Sequence, residues 1–458
     1  MRSSAARSYS LLFFLSGATG LVYELLWVRV LYQTFGSTIQ SVTTVVAAYM
    51  GGLGLGAWLL GSRADRHTSP AVLYGRLEIA IAAFGVLSPG ILGLVHRAYV
   101  GAASAWQLSG GPSVAARFGL AAVVLLVPTT LMGGTLPVLT RAFMGTDRAD
   151  LKRSLGHLYG LNTLGAVLGT ALAGFWLIEY VGIRASLWGT AAVNLAIGVA
   201  ALRLPAPGTG ALTDPGRQPG VSRDPMDSPS LLLRRVALVL LGFTAFAALL
   251  DEIAWTRVLV MIVGGSTYAF TLVLLVFLLG IGIGSRLVAR RGTVPSETAA
   301  AAAGAQALTA AGAGLLFLIF GLLPRYIIAV FQVQSLGAAE RLLAMGLAVG
   351  AVVLIPAIGM GMTFPLLTDL VAPSHAAGGS EVGRAYGTNT AGSIVGAVLT
   401  GFVLVVTLGT DLTLRLGLLV NVVAALALAG LAARGIAEGR SEERRVGKEC
   451  RSRWSPYH

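Results

Sequence analysis

The stretch "ELLWVRVL" at 24–31 returns 228 residues later as "EIAWTRVL" at 252–259. Three more segments follow in the same order. "GLGLG" at 52–56 returns as "GIGIG" at 280–284, and "PTTLMGGTLPVLT" at 128–140 as "PAIGMGMTFPLLT" at 356–368, both again at 228. "YGLNTLGAVLG" at 159–169 returns as "YGTNTAGSIVG" at 386–396, at 227. Four ordered matches at a nearly constant offset are the mark of one unit duplicated in tandem, so the fold of the chain is the fold of that unit, used twice.

Composition places the unit in a membrane. Over 458 residues the chain is 55% hydrophobic and 12% charged, with a mean hydropathy of +0.78, against roughly 25% charged residues in an ordinary soluble domain. Apolar windows of the ~20 residues that cross a bilayer recur at 11–32, 41–61, 73–95, 118–143, 157–179 and 185–202. They recur again at 236–262, 268–288, 299–332, 342–368, 386–408 and 412–433. Sixty glycines suit helices that approach one another closely. The first window carries Glu24 and Arg29 and has no small-residue cleavage site behind it, so it reads as a retained helix.

The expectation is an all-α integral membrane protein of twelve transmembrane helices in two six-helix repeats, 1–203 and 234–435. A Pro-, Gly-, Ser- and Asp-rich cytoplasmic linker at 204–233 joins them, and a tail occupies 436–458. An even number of helices gives both repeats the same orientation, the parallel arrangement of major facilitator transporters. The net charge of +13 is a topology signal before it is a binding signal, and no nucleic-acid partner is expected. With the N-terminus cytoplasmic, nineteen Arg and Lys fall on the cytoplasmic side. Six fall on the other: Arg97, Arg117, Arg184, Arg325, Arg341 and Arg415. Both termini are therefore placed in the cytoplasm, with the protein multi-pass in the inner (plasma) membrane.

The tail "RSEERRVGKECRSRWSPYH" at 440–458 is polar and highly charged and holds the only cysteine, Cys450. It resembles the in-frame translation of a sequencing adapter. On that reading the natural chain continues past Gly439, and Cys450 supports no redox or metal chemistry. A solvated basic tail is the alternative.

Charges at membrane depth are expensive and usually face a cavity or a partner. Six stand out: Glu24, Arg29, Glu78, Asp251, Glu252 and Arg257. Glu24 and Arg29 are five residues apart, roughly 140° around a helix, a poor spacing for pairing within it. The repeat suggests cross-pairing, Glu24 with Arg257 and Glu252 with Arg29. The competing reading has each arginine snorkelling to the membrane surface. Glu78 aligns with the uncharged Gln306. Either it binds a cation or a proton at depth, or it lies near enough to the cytoplasmic face, after Arg76, to be wet.

Pro128 and Pro137 around glycines, and Pro356 and Pro365 in the second copy, predict interrupted helices four and ten. Interrupted helices in matching positions point to a transporter's binding site, which Thr135 and Thr363 would line together with the carbonyls freed by Pro137 and Pro365. A packing kink without ligand is the bland alternative. The glycine motifs read as helix contacts rather than phosphate loops. Asn162 and Asn389 read as polar links between helices. No metal-ligand spacing, catalytic constellation or cofactor motif stands out, and the oligomeric state is open.

"SGATGLVYELLWVRVLYQTFGST" (16–38), "GLGLGAWLLGSRADR" (52–66), "YGRLEIAIAAFGVLSP" (74–89), "LMGGTLPVLTR" (131–141) and "GHLYGLNTLGAVLG" (156–169) resemble the membrane half of fused major-facilitator/spermidine-synthase-like proteins. The resemblance covers Ser10 to about Gly435. It implies a membrane domain that binds or moves a small, polyamine-like solute. Its alternative is an anchor for a cytoplasmic aminopropyltransferase-like domain of Rossmann type, which would take decarboxylated S-adenosylmethionine and a polyamine. Such a catalytic domain is not within the chain, and aminopropyltransferase activity is expected only where that domain follows. "GSRADR" at 61–66 resembles the facilitator loop motif between helices two and three, and the second repeat has "ARR" at 289–291 with no aspartate.

Overall fold

A computed structural model describes residues 2–36, 39–107, 110–143, 148–206, 231–264, 266–289, 295–371 and 378–453. With no water in hydrocarbon to take up an exposed N–H or C=O, a spanning chain must satisfy its own backbone, and here it does so as helices. The first repeat comprises α1 (Arg2–Phe35), α2 (Ile39–Arg66), α3 (Pro70–Trp106), α4 (Gly110–Phe143), α5 (Arg148–Leu172) and α6 (Ile183–Arg203). The second comprises α7 (Leu231–Val263), α8 (Thr267–Ala289), α9 (Pro295–Ile319), α10 (Leu322–Gln332), α11 (Ala338–Val371), α12 (Gly378–Leu399), the single turn α13 (Val405–Thr407) and α14 (Gly409–Arg453).

The described residues hold 12 helices long and apolar enough to cross a membrane, as the hydropathy windows predict. Their outward surface is apolar, with Val123, Met261 and Leu318 each more than 70% exposed. A continuous apolar surface of this kind faces lipid. The predicted linker falls largely on 207–230, outside the described residues.

One window is corrected. The apolar run 299–332 is not a single span, because α9 ends at Ile319 and the short α10 begins at Leu322. Pro324 lacks the N–H that a continuous helix would use on Phe320, and here it lies in the first turn of the new helix, where that N–H is not needed.

The two repeats match in detail beyond their sequence. After α5 the chain widens into a π-helix at Ala173–Val181, and after α12 into another at Thr400–Leu404, starting at the equivalent residue. Each first helix of a repeat ends at a left-handed glycine, Gly36 (φ 88°) and Gly264 (φ 120°). Each fifth-to-sixth turn uses another, Gly182 (φ 81°) and Gly409 (φ 76°).

Glycine spacing explains how the halves join. In α2, Gly52 and Gly56 share a face and meet Thr129 and the Thr130 backbone of α4, in the same half. Gly54 lies on the opposite face and meets Thr390 of α12, in the other half. In α8, Gly280 and Gly284 meet Ala357 and the Ile358 backbone of α11, while Gly282 meets Leu164 of α5. Each motif therefore lets one helix be squeezed between its own half and the partner half, which the predicted close packing anticipated only in part.

At the face where α1 begins, the halves share one hydrophobic core. Tyr9, Leu139 and Phe143 of the first repeat belong to it together with Leu241, Phe364 and Leu367 of the second. At the opposite face each half keeps its own, around Tyr23, Trp27 and Leu125 in one and around Trp255, Val349 and Val353 in the other. The shared end is also latched by Asp65 of the "GSRADR" motif. Its carboxylate accepts the N–H groups of Gly379 (2.9 Å) and Ser380 (2.7 Å) at the start of α12 and pairs with Arg141 at 3.2 Å. A carboxylate at a helix N-terminus satisfies groups the helix itself leaves open.

Overpacking a close helix contact costs about 1–3 kcal/mol. Gly282→Leu is expected to lower the thermal unfolding midpoint of the purified protein clearly. Gly93→Leu, where nothing stands within 4 Å of an added Cβ, should leave it close to wild type. Equal midpoints for the two variants would contradict the squeezed-helix account.

Candidate functional site

Between the halves, at mid-helix depth, lies a cavity of about 280 Å³. It is lined by α1, α2, α4 and α5 of the first repeat, the equivalent α7, α8, α11 and α12 of the second, and Gln306 of α9. Its walls obey the repeat, with equivalent residues lining it from both halves: Glu24 and Glu252, Tyr49 and Phe277, Thr135 and Thr363, Tyr159 and Tyr386, and Asn162 and Asn389. The duplication thus gives a chamber with an approximate twofold axis, each wall built from one copy.

Glu24 and Glu252 both line this chamber, and the Tyr49 hydroxyl stands at Glu24. Among the described lining residues there is no Lys, Arg or His. The expected clasp does not form: Arg29 and Arg257 are exposed and line no part of the chamber, and neither cross-pair with Glu252 or Glu24 is present. The physical reason is the spacing itself. Five residues turn each arginine away from the face that carries its glutamate and move it more than a turn toward the membrane surface.

Thr135 and Thr363 line the chamber as expected, but the helices bearing them are not interrupted. Pro128 and Pro137 lie inside an unbroken α4, and Pro356 and Pro365 inside an unbroken α11. Pro365 frees the carbonyl of Gly361, and the Ser285 hydroxyl of α8 donates to it at 2.8 Å, sharing its proton with the Ile281 carbonyl of its own helix at 2.9 Å. That carbonyl is therefore taken up by a neighbouring helix rather than offered to a ligand. Thr135 and Thr363 bond their own helices, to the carbonyls of Met132 (2.7 Å) and Gly359 (2.9 Å), and present what remains of their hydroxyls to the space.

Asn162 does both things a polar residue at depth can do. Its amide donates to the Phe13 carbonyl of α1 at 3.1 Å, linking helices as predicted, and the residue also lines the chamber, as does Asn389. Toward the sealed end the floor is aromatic. Phe364 sits between Tyr159 of one half (ring centroids 4.9 Å apart) and Tyr386 of the other (5.7 Å).

The remaining two acids are fully buried and line no part of the chamber. Glu78 accepts the Ser16 hydroxyl at 2.6 Å and the Asn194 amide at 2.5 Å, so the wet alternative for it does not hold. In the second half the equivalent residues are Gln306 and Asn421. Gln306 donates to Asn421 at 2.5 Å, and Asn421 in turn donates to Asp251 at 2.5 Å. The half-to-half break at position 78 is thus made good from another helix, since Asp251 stands where the first repeat has Tyr23. Sequence reasoning missed Asn194 and Asn421. Their identity at the repeat offset of 227 was the available signal.

No family model matches the sequence. Polyamine aminopropyltransferase 2 of Streptomyces coelicolor is 28% identical over 187 residues, covering 41% of this chain and 32% of that protein; the match thus spans about a third of the relative's length. Among solved structures, the human organic anion transporter MFSD10 (TETRAN) superposes with a TM-score of 0.55 at 14% identity, over 92% of this chain and 99% of its own. The proton:xylose symporter XylE, bound to 6-bromo-6-deoxy-D-glucose, gives 0.54 at 14% identity, over 94% and 97%. FucP, a major facilitator transporter in its outward conformation, gives 0.53 at 13% identity, over 94% and 99%. The chain has the fold of the major facilitator transporters, multi-pass in a lipid bilayer, with its chamber where the two halves of that fold meet.

Leaving a buried carbonyl without its donor costs about 1–3 kcal/mol. Ser285→Ala is expected to destabilise the protein by that order, seen as a lower unfolding midpoint in detergent. An unchanged midpoint would show that the Gly361 carbonyl does not depend on the Ser285 hydroxyl.

Proposed function

We propose that the chain moves a small, linear, polyamine-like cation across the inner (plasma) membrane, using Glu24 and Glu252 as the paired contacts for its two ends. One observation carries this: two carboxylates from equivalent positions of the two repeats share one aromatic-walled chamber whose described lining holds no basic side chain. A dication answers such a pair, because each amino group gains a charge-assisted hydrogen bond while its methylene stem lies against Tyr and Phe faces. The partial likeness to a protein named for polyamine chemistry supports the same solute class. With nineteen basic residues counted on the face where α1 begins, that face is read as cytoplasmic and both ends of the described chain with it. The end sealed by the shared core then faces the cytoplasm.

The second reading is an anchor and organiser for an aminopropyltransferase-like domain, favoured by the name of that same relative and by the two-thirds of its length outside the match. Sequencing the locus beyond codon 439 tests whether such a domain follows, and at the same time whether 440–458 is native.

Transport is tested with the purified protein in liposomes and radiolabelled spermidine. Losing one hydrogen bond to a charged group weakens binding by about 1.5–3 kcal/mol, or about ten- to a hundredfold in concentration at half-maximal uptake. Glu24→Gln and Glu252→Gln are each expected to show that loss with normal thermal unfolding. Wild-type protein that folds normally and takes up no spermidine would remove the polyamine reading.

A further inference from the structure

Glu78 and Asp251 are fully buried carboxyls that the solute reading does not use, and their surroundings differ in one decisive respect. Around Glu78 stand Ser16 and Tyr23 of α1, Tyr74 of α3 itself and Asn194 of α6. From α4 no charged group reaches it: Arg117 bonds Tyr99 and Arg141 pairs with Asp65, at the two ends of the helix. Among the described residues no basic side chain pairs with Glu78. Asp251 accepts Asn421 on Oδ2 while its Oδ1 is buried without any hydrogen-bond partner, against Gly417 of α14. A buried negative charge with no cation beside it is costly in either place, even with the neutral donors that Glu78 and Asp251 have, and a bound proton removes it.

The link to the chamber is what separates them. Ser16 lines the chamber and its hydroxyl touches Glu78 directly. A hydroxyl can accept one proton while releasing its own. Among the described residues, the hydrogen bonds from Asp251 lead to the chamber through two side-chain amides, Asn421 and then Gln306, which meets Thr363 at 3.5 Å. Amides donate and accept hydrogen bonds but do not hand a proton along in this way.

We propose that Glu78 is an exchangeable proton site coupled to the chamber through Ser16, and that Asp251 is its static counterpart, holding a proton that does not exchange during transport. This coupling rests on the transport reading, whereas the proton site itself does not. The step balances simply. The Ser16 hydroxyl, which donates to Glu78 in this structure, first turns its proton to a chamber water; the Glu78 O–H bond then breaks, its proton passes to the Ser16 oxygen, and the original Ser16 proton leaves to that water. Glu78 is left as a carboxylate and Ser16 as a hydroxyl. One positive charge leaves the site as the cation is drawn in by Glu24 and Glu252, so import of the cation runs against release of the proton.

Infrared difference spectroscopy on the full chain, with no solute present, reads the site directly. Moving the protein from H2O into D2O should shift a protonated-carboxyl C=O band quickly. That band should be lost in Glu78→Gln and should shift more slowly in Ser16→Ala, which keeps the acid should Glu78→Gln fold poorly. The band lost in Asp251→Asn should be one that exchanges only on unfolding. A fast band that survives both Glu78→Gln and Asp251→Asn, or one untouched by Ser16→Ala, overturns the proposal. In liposomes under an imposed proton gradient, wild type and Asp251→Asn should accumulate radiolabelled spermidine while Glu78→Gln only equilibrates it. Gradient-driven accumulation that persists in Glu78→Gln overturns the coupling. A Glu78 band that exchanges in a protein moving no spermidine sinks the polyamine-transport reading and leaves the proton site standing.

Discussion

The two seams in which α2 meets α12 and α8 meets α5 hold the rest of the structure in place. Each is a backbone-to-side-chain approach that only the missing Cβ of Gly54 or Gly282 permits. In lipid the hydrophobic effect gives no help in bringing helices together, so association depends on such close packing and on side-chain hydrogen bonds. Because Gly52, Gly56, Gly280 and Gly284 bring α2 and α8 closer still to their own halves, the same two helices serve as both wall and joint. The central chamber is what remains between two halves pinned along these lines.

From that constraint the polar chemistry sorts itself by distance from the axis. Acids on the faces turned to the partner half, Glu24 and Glu252, find space. Acids turned into their own half, Glu78 and Asp251, are enclosed by asparagines from the sixth helix of each repeat. Arginines one turn beyond the glutamates go to the surface. The duplication is followed closely in the backbone, down to the π-helical widening in both fifth helices and the left-handed glycines that end matching helices. It is relaxed in chemistry, where one acid changes helix between the copies.

Much of the architecture was legible in the sequence. Twelve spans, the duplication and the glycine contacts all follow from hydropathy and from self-similarity at 228 residues, because a bilayer enforces helix length and a repeat enforces equivalence. The single failure among the spans, at 299–332, came from an apolar run whose Pro324 was outweighed by hydropathy. The candidate site was only half legible. Glu24, Glu252, Thr135, Thr363, Asn162 and Asn389 were picked out and do share one chamber, yet the reasons differed for several of them. The charges were expected to pair with arginines, and the proline-bearing helices to break.

What the sequence by itself determined is what depends on local order and on the solvent: helical spans, their count, their duplication and which residues sit at membrane depth. What only the tertiary structure decided is which way each of those residues faces and what meets it there. A five-residue spacing cannot say whether Glu24 looks at Arg257 or at Glu252. A proline cannot say whether its freed carbonyl is open to a ligand or already taken by Ser285, nor can an aligned glutamine announce that its missing charge returns from another helix as Asp251. Those outcomes are set by packing between helices far apart in the chain, where a rotation of a few tens of degrees exchanges a cavity wall for a buried core.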